Sequence, residues 1–217
     1  MPSFVEISSL SRSKVEKLSK KFSCKKHPPL LKYIQQFAHK HAKDGLYRTY
    51  LLEINGNYCA YISVSLATVQ NRDDSFSKIK DIADIQKNLY YALPALKITR
   101  LCVFDEMQGS GIGSIMMTFA DILSIQIQAK IGCKIEMVDA KKDAITFYKK
   151  TGFEEINIES IEDTILMIKK VITPDEFKSF EENERLLYLQ NIKEFCEIFD
   201  LTDEYRVIEK YYKVGVG

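Results

Sequence analysis

Leu101-Cys102-Val103-Phe104-Asp105-Glu106-Met107-Gln108-Gly109-Ser110-Gly111-Ile112-Gly113-Ser114 decides the fold of this 217-residue chain. An apolar run of strand length, residues 95–104, enters the stretch, three glycines at alternate positions interrupt it, and a helical pattern leaves it at once. Ile112, Met116, Phe119, Leu123 and Ile127 recur at three- and four-residue steps, which predicts a helix over 112–130 with one buried face. Such a strand–glycine turn–helix junction exposes successive backbone N–H groups at the positive end of a helix dipole, a place suited to phosphate. The glycines alone fit several occupants, or none. A nucleoside-triphosphate loop needs Lys-Ser or Lys-Thr after its last glycine, and Gly113 is followed by Ser114 and Ile115, so that reading fails. A dinucleotide fingerprint is nearly met by Gly109, Gly111 and Ser114, with Glu136 at about the distance of a ribose-holding acid. Against it, the turn follows an antiparallel hairpin in mid-chain, and too few residues remain for a doubly wound sheet with a substrate domain.

Working outward, Asn55-Gly56 separates two stretches rich in aromatic and β-branched residues, 47–54 and 58–68, and predicts a tight hairpin. Residues 4–7 predict a short strand and 13–22 a basic helix. Residues 28–41 predict an amphipathic helix that Gly45 can terminate, since Leu30, Leu31, Ile34, Phe37, Ala38 and His41 share its spacing. A polar loop from residue 70 precedes a helix carrying Ile79, Ile82, Ile85 and Leu89, which Pro94 ends. After the long helix come a strand over 133–138, a short helix over 143–150 with Gly152 just beyond, and a hairpin of 153–158 with 164–171. Thr173, Pro174 and Glu176 form a helix start in which cap, first-turn proline and returning acid agree. A domain boundary therefore falls near 172, with an acidic helical segment over 173–217.

Gln108-x-x-Gly111-x-Gly113 and, about 35 residues on, Ala144-Ile145-Thr146-Phe147-Tyr148-Lys149-Lys150-Thr151-Gly152-Phe153 together resemble the GNAT family of acetyl-CoA-dependent N-acetyltransferases. The resemblance covers residues 1 to about 170. It implies an α/β (α+β) fold: a mixed, mostly antiparallel sheet whose parallel fourth and fifth strands, 98–103 and 133–138, splay apart to admit the cofactor, with helices on both faces. A narrower likeness, carried by Phe22-Ser23-Cys24, Arg48-Thr49-Tyr50-Leu51, residues 94–103 and Asp139-Ala140-Lys141-Lys142-Asp143-Ala144, is to the GNAT toxins of bacterial toxin–antitoxin pairs, which acetylate the α-amine of aminoacyl-tRNA. Those chains usually stop near the strand at 164–171, whereas this one continues.

The resemblance implies acetyl-CoA as cofactor, held by Leu101, Cys102 and Val103 on the strand, by Gln108, Gly109, Ser110, Gly111, Ile112, Gly113 and Ser114 at the diphosphate, and by Asp143, Ala144 and Phe147 near the thiol. Tyr148 is the expected general acid. Arg100 and Tyr91 are expected on the acceptor side, the acceptor being a primary amine such as the α-amine of aminoacyl-tRNA. No general base stands out among Glu53, Asp105 and Glu106. A homodimer and a neutralising partner protein belong to the same expectation, and a non-catalytic interaction module working through the acidic segment is the alternative.

Composition sets the remaining bounds. Hydrophobic residues at 46% and charged residues at 28% are those of an ordinary globular chain, which argues against disorder. Cys24, Cys59, Cys102, Cys133 and Cys196 form no C-x-x-C pair, and His27, His39 and His41 have no metal-binding spacing, so neither disulfides nor a metal is expected. The start lacks the basic-then-apolar pattern of a signal peptide and no uninterrupted apolar run approaches a membrane span, which predicts the cytoplasm. The net charge of +1 conceals an asymmetry: residues 1–49 carry 11 Lys and Arg against 3 Asp and Glu, and residues 154–217 carry 8 against 16. A basic head attracts phosphates of RNA or cofactor, and an acidic tail can screen it or contact a protein.

Overall fold

The computed structural model describes residues 1–70, 75–83, 92–156 and 163–214. They fall into two compact units, residues 1–65 with 98–119, and residues 66–97 with 120–217.

In the first unit, β1 (Ser3–Glu6), β2 (Arg48–Ile54), β3 (Asn57–Gln70) and β4 (Ala92–Val103) lie in that order, β3 and β4 continuing into the second unit. The β2–β3 hairpin forms at Asn55 and Gly56, whose φ angles of 51° and 78° are the paired left-handed values that a two-residue hairpin turn demands. Side chains alternate across the strands. Leu51, Tyr61, Cys102 and Phe104 face a core shared with α1 (Arg12–Ser19), α2 (Pro28–Gln36) and α3 (Ala38–Lys43), through Val15, Tyr33, Ile34, Ala38 and Ala42. On the opposite face Phe119, from α5 (Ile112–Lys130), stacks on Phe4 at 3.8 Å and meets Tyr50 edge-on at 5.0 Å. The helix expected over 28–41 is interrupted at Phe37, whose φ of −118° separates α2 from α3 although neither glycine nor proline marks the place.

In the second unit the strand order is β3-β4-β5-β7-β6, with β5 (Ile135–Lys141), β6 (Glu154–Glu155) and β7 (Thr164–Lys170), and β5 runs parallel to β4. Pro94 lies inside β4 rather than ending a helix, and its carbonyl accepts Lys134 N–H at 2.9 Å. A proline near a strand start can still offer an acceptor while donating nothing. α4 (Ser75–Ile82) and the strands share a core of Ile79, Leu93, Ala95, Ile135, Met137, Ile156 and Ile168. The expected helix positions Ile85 and Leu89 lie outside the described residues.

Helix α5 is long and apolar enough to cross a membrane by length and composition. Its Met116, Met117, Phe119, Ala120, Ile122 and Ile125 are nevertheless buried, as in a central core helix. Polar residues of the same helix make further contacts. Ser124 donates to Glu136 Oε1 at 2.6 Å, and Lys169 pairs with Asp121. Glu136 is 1% exposed and its Oε2 takes no hydrogen bond among the described residues. Burial pushes the Glu136 carboxyl well above the carboxylate range, and the neighbouring Asp121 pushes it further, against the pull of Lys169.

The C-terminal segment begins as expected. Thr173 N–H donates to Glu176 Oε2 at 2.8 Å, and Thr173 Oγ1 accepts Glu176 N–H at 3.3 Å. Glu176 also pairs with Lys134 and Lys170, at 3.1 and 2.9 Å. The acidic helical segment consists of α7 (Pro174–Ser179), α8 (Glu182–Ile198) and α9 (Thr202–Val214). Asp200 takes a left-handed φ of 57° and ends α8, a role usually filled by glycine or asparagine. Phe177 packs against Tyr212 at 4.6 Å and Tyr188 at 5.8 Å, and Tyr212 Oη donates to the Ile172 carbonyl at 3.0 Å.

Candidate active site

The glycine turn belongs to the first unit. Gly109 and Gly111 adopt φ of 78° and 84°, and a Cβ on either would meet no atom within 4 Å, so the space before the turn is open. Ser114 and Ile115 N–H both donate to the Gly111 carbonyl, at 3.0 and 3.2 Å. Among the described residues the N–H groups of Gly109, Ser110, Gly111, Ile112 and Gly113 meet no acceptor. Five unfilled donors at the start of a 19-residue helix, two of them on left-handed glycines, are a chemical match for a diphosphate. Ser110 Oγ is turned back to the Met107 carbonyl at 2.6 Å.

Gln108 has a different part from the glycines. Its side-chain amide donates to the Val103 carbonyl at 3.1 Å and to Asp105 Oδ1 at 3.3 Å, bracing the short turn between strand and glycines. Upstream, Leu101 and Val103 are half-buried and Cys102 is buried, its thiol raised well beyond the ordinary range by burial and then by Cys24. Burial likewise raises Cys59, Cys133 (to about 11) and Cys196 (to about 12), so these thiols stay protonated and are poor nucleophiles.

Arg100, on β4, lies with its guanidinium 3.8 Å over the Tyr33 ring and 5.7 Å from that of Tyr47. Among the described residues no carboxylate pairs with it. Tyr33 is 3% exposed, and its hydroxyl has no hydrogen-bond partner there either. Tyr91 lies outside the described residues. Of the base candidates, Asp105 is engaged by Ser23 and Lys25. Glu53 sits opposite Tyr58 in the hairpin, where burial and then its hydrogen bond push the phenol up to about 12. Glu106 is exposed.

Tyr148 belongs to the second unit, on α6 (Ile145–Lys150), with Ala144 as the residue before the helix. It is 6% exposed, edge-on to Phe147 at 5.1 Å and to Phe153 at 5.6 Å. Among the described residues its hydroxyl makes no hydrogen bond, and burial raises its pKa well above the phenol value. Ala144 and Phe147 are half-buried beside it, and Asp143 is exposed. Glu136, the acid a dinucleotide reading would set on a ribose, is sealed against Ser124 and available to no ligand.

The family model for the acetyltransferase (GNAT) domain matches residues 46–155. That is half of the chain, and it takes in both the glycine turn and Tyr148: the chain belongs to the GNAT acetyltransferase family, enzymes whose acyl donor is acetyl-CoA. Among solved structures it is similar to a bacterial toxin (TM-score 0.66, 15% identity, 79% of this chain and 92% of that one). It is also similar to AtaT complexed with acetyl-methionyl-tRNAfMet (0.61, 20%, 76% and 94%) and to the KacTA–DNA complex (0.60, 15%, 79% and 94%). At these identities the likeness is one of fold. No curated protein matches the chain.

Proposed function

We propose that this acetyltransferase acts on a primary amine of low pKa, the α-amine of aminoacyl-tRNA ahead of a protein lysine. The observation that carries the reading is the row of five backbone N–H groups from Gly109 to Gly113, which meet no acceptor among the described residues, on a turn open to the outside. These donors would hold the diphosphate of acetyl-CoA, with Gln108 bracing the turn and Ser114 at its helical end. Backbone groups of Leu101, Cys102 and Val103 would orient the pantetheine arm and thioester oxygen. Asp143, Ala144 and Phe147 would flank the thiol end. Bound acetyl-CoA supplies an acetyl group on a thioester.

In the transfer, a C–N bond to the acceptor forms and the C–S bond breaks. The amine loses a proton to solvent, and Tyr148 gives its phenolic proton to the departing sulfur and regains one from water. Burial of Tyr148 supports this role, because it keeps the phenol protonated across the working pH range. Acceptor choice rests on an energy difference. At pH 7 deprotonating a lysine of pKa about 10.4 costs roughly 4.6 kcal/mol, against about 1 kcal/mol for an α-amine near 7.8. With Asp105 engaged and Glu53 set beside Tyr58, an amine that needs little help suits this site better.

Arg100, and Tyr91 with it, would meet the acceptor. Strand geometry favours that end: Val103 lies three positions along β4 from Arg100, roughly 10 Å, with the glycine turn further on, so Arg100 belongs near the thiol rather than the diphosphate. We read residues 1–172 as the acetyltransferase domain and 173–217 as an added helical segment, and we place the enzyme in the cytoplasm, where its acceptor is made. AtaT has been solved with the C-terminus of its antitoxin AtaR, and a neutralising partner and a homodimer follow here by that likeness. The test is calorimetry with coenzyme A, beside mass spectrometry after incubating labelled acetyl-CoA with aminoacyl-tRNA, small amines and protein. Wild-type protein should release binding heat, and Gly111→Ala, strained at a φ of 84°, should lose at least about 1.4 kcal/mol of binding free energy, a tenfold rise in Kd. Absence of heat for the wild type would remove the assignment. Label on lysine alone would remove the α-amine.

A further inference from the structure

Asp105 stands between two parts of the first unit that the sequence keeps far apart. Its carboxylate accepts from Ser23 Oγ and from Lys25 N–H (3.0 Å to Oδ2, 3.3 Å to Oδ1), both in the connection between α1 and α2. The same Oδ1 accepts from the Gln108 amide at 3.3 Å, and the Asp105 N–H donates to the Ser23 carbonyl at 2.9 Å. Beside this knot Phe22 stacks on Phe104 at 4.0 Å. The connection therefore lies against residues 104–105, and the residue that fastens it also touches the first side chain of the glycine turn. The connection, through Lys21, Phe22 and Ser23, forms one wall of a cavity of about 530 Å³ that Asn55, Asn57 and Met107 close on other sides.

We infer that Asp105 is a positioning residue that couples the diphosphate turn to this basic connection, so that filling the turn fastens residues 22–27 and sets the shape of the cavity beside them. This rests on the acetyl-CoA reading above. The carboxylate suits the task because every group around it is a donor: hydroxyl, backbone N–H and amide N–H all point inward, and only an acceptor-only side chain satisfies them together. An asparagine of the same shape would set its own NH2 against one of those donors. The depressed Asp105 pKa, caused first by the Ser23 hydroxyl and then by Lys25 N–H, agrees with a carboxylate held as the anion.

Coupling of this kind is reciprocal: the factor by which coenzyme A steadies the connection must equal the factor by which the fastened connection tightens coenzyme A. Hydrogen exchange of residues 22–27, with and without coenzyme A, measures the first factor. Calorimetric Kd for wild type against Ser23→Ala, which cuts only the contact on the α1–α2 side, measures the second. We expect each to be roughly 5- to 10-fold, at the lower end of such couplings, and equal within about twofold. Asp105→Asn should abolish the exchange response and Ser23→Ala should weaken it, whereas Ser23→Thr, which keeps the hydroxyl, should retain it. Binding heat for coenzyme A with unchanged exchange at 22–27 would overturn the coupling and leave the acetyl-CoA reading standing. An exchange response that persists in both Ser23→Ala and Asp105→Asn would overturn it too. No heat in the wild type would overturn the acetyl-CoA reading itself, and the coupling with it.

Discussion

Replacing Tyr148 by phenylalanine removes one oxygen, and the surroundings of that oxygen fix what should change. The ring contacts to Phe147 and Phe153 persist, because phenylalanine fills the same space. The hydroxyl makes no hydrogen bond among the described residues, so no partner there is stranded, and the unfolding free energy should move by less than about 1 kcal/mol. In a chain of this length that is a Tm shift of roughly 2–4 °C at most. Catalysis should respond quite differently. Loss of a positioned general acid costs about 10²- to 10⁴-fold in kcat, which at about 1.36 kcal/mol per tenfold is roughly 2.7 to 5.5 kcal/mol of barrier. The pH profile gives a second reading of the same group. Burial lifts the phenol pKa above its ordinary 10.0, so the wild-type rate should show no loss from this acid below pH 10. The assay is release of coenzyme A thiol with bulk aminoacyl-tRNA as acceptor, beside coenzyme A calorimetry and thermal melts. A kcat within threefold of wild type would refute the acid role. A parallel collapse of coenzyme A affinity or of Tm would make Tyr148 a binding or packing residue instead.

Two further outcomes follow from the second unit. Glu136 has its pKa raised by burial and by Asp121, so the folded chain holds a proton that the unfolded chain releases above about 4.5; its contribution is whole below that pH and declines as pH rises toward the folded value. Glu136→Gln removes this titration, so urea melts at pH 5 and pH 8 should show a smaller loss of stability with pH in the variant, and equal losses would contradict the buried-proton account. Phe177→Ala empties a site 2% exposed among Tyr212, Tyr188 and Phe180, and should cost roughly 3–5 kcal/mol in a single cooperative transition. A separate early transition, with the remainder of the curve unmoved, would show that 173–217 unfolds on its own.

What the sequence disclosed and what it withheld divide along physical lines. Signals confined to one backbone segment were readable: Asn55-Gly56 because only a few residues tolerate two left-handed angles in succession, Thr173-Pro174-Asp175-Glu176 because a cap is completed within one turn, and the glycine turn for both reasons. The bounds of α5 were readable because nineteen residues give the helical period room to declare itself. By contrast, the interruption at Phe37 carries no breaker residue, and the end of α8 at Asp200 uses an aspartate where glycine would have announced it. The contact of Ser23 with Asp105 joins positions 82 apart, and no local pattern encodes such a meeting. Asp105 drew notice only as one of three acids available as a general base, and its three kinds of donor neighbour gave it a different use. Glu136 drew notice only as an acid at ribose distance from the glycine turn and Asp121 drew none, and only the meeting of α5 with β5 and β7 buries Glu136 and sets Asp121 against Lys169.

The same division bears on how far chemistry travels between chains 15–20% identical. Diphosphate binding here is assigned to backbone N–H groups and to two glycines whose φ angles present them, a requirement that leaves most surrounding side chains free to vary. The acid asks for one phenol on one helix. A site built from main chain and a single side chain survives extensive substitution, which is why the short family motifs remain visible in a chain whose other residues have drifted. Acceptor recognition has the opposite economy. On the function proposed here it would draw on Arg100, set over Tyr33, and on the lysines of the α1–α2 connection, groups that act through side-chain charge and shape, so that one substitution among them would redirect it. The discriminating measurements for this enzyme therefore lie in the first unit: exchanging Arg100 or Lys25 for neutral residues should alter acceptor KM and its salt dependence while coenzyme A affinity stays within a few-fold, because phosphate contacts on an acceptor are salt-sensitive and backbone contacts to the cofactor are less so.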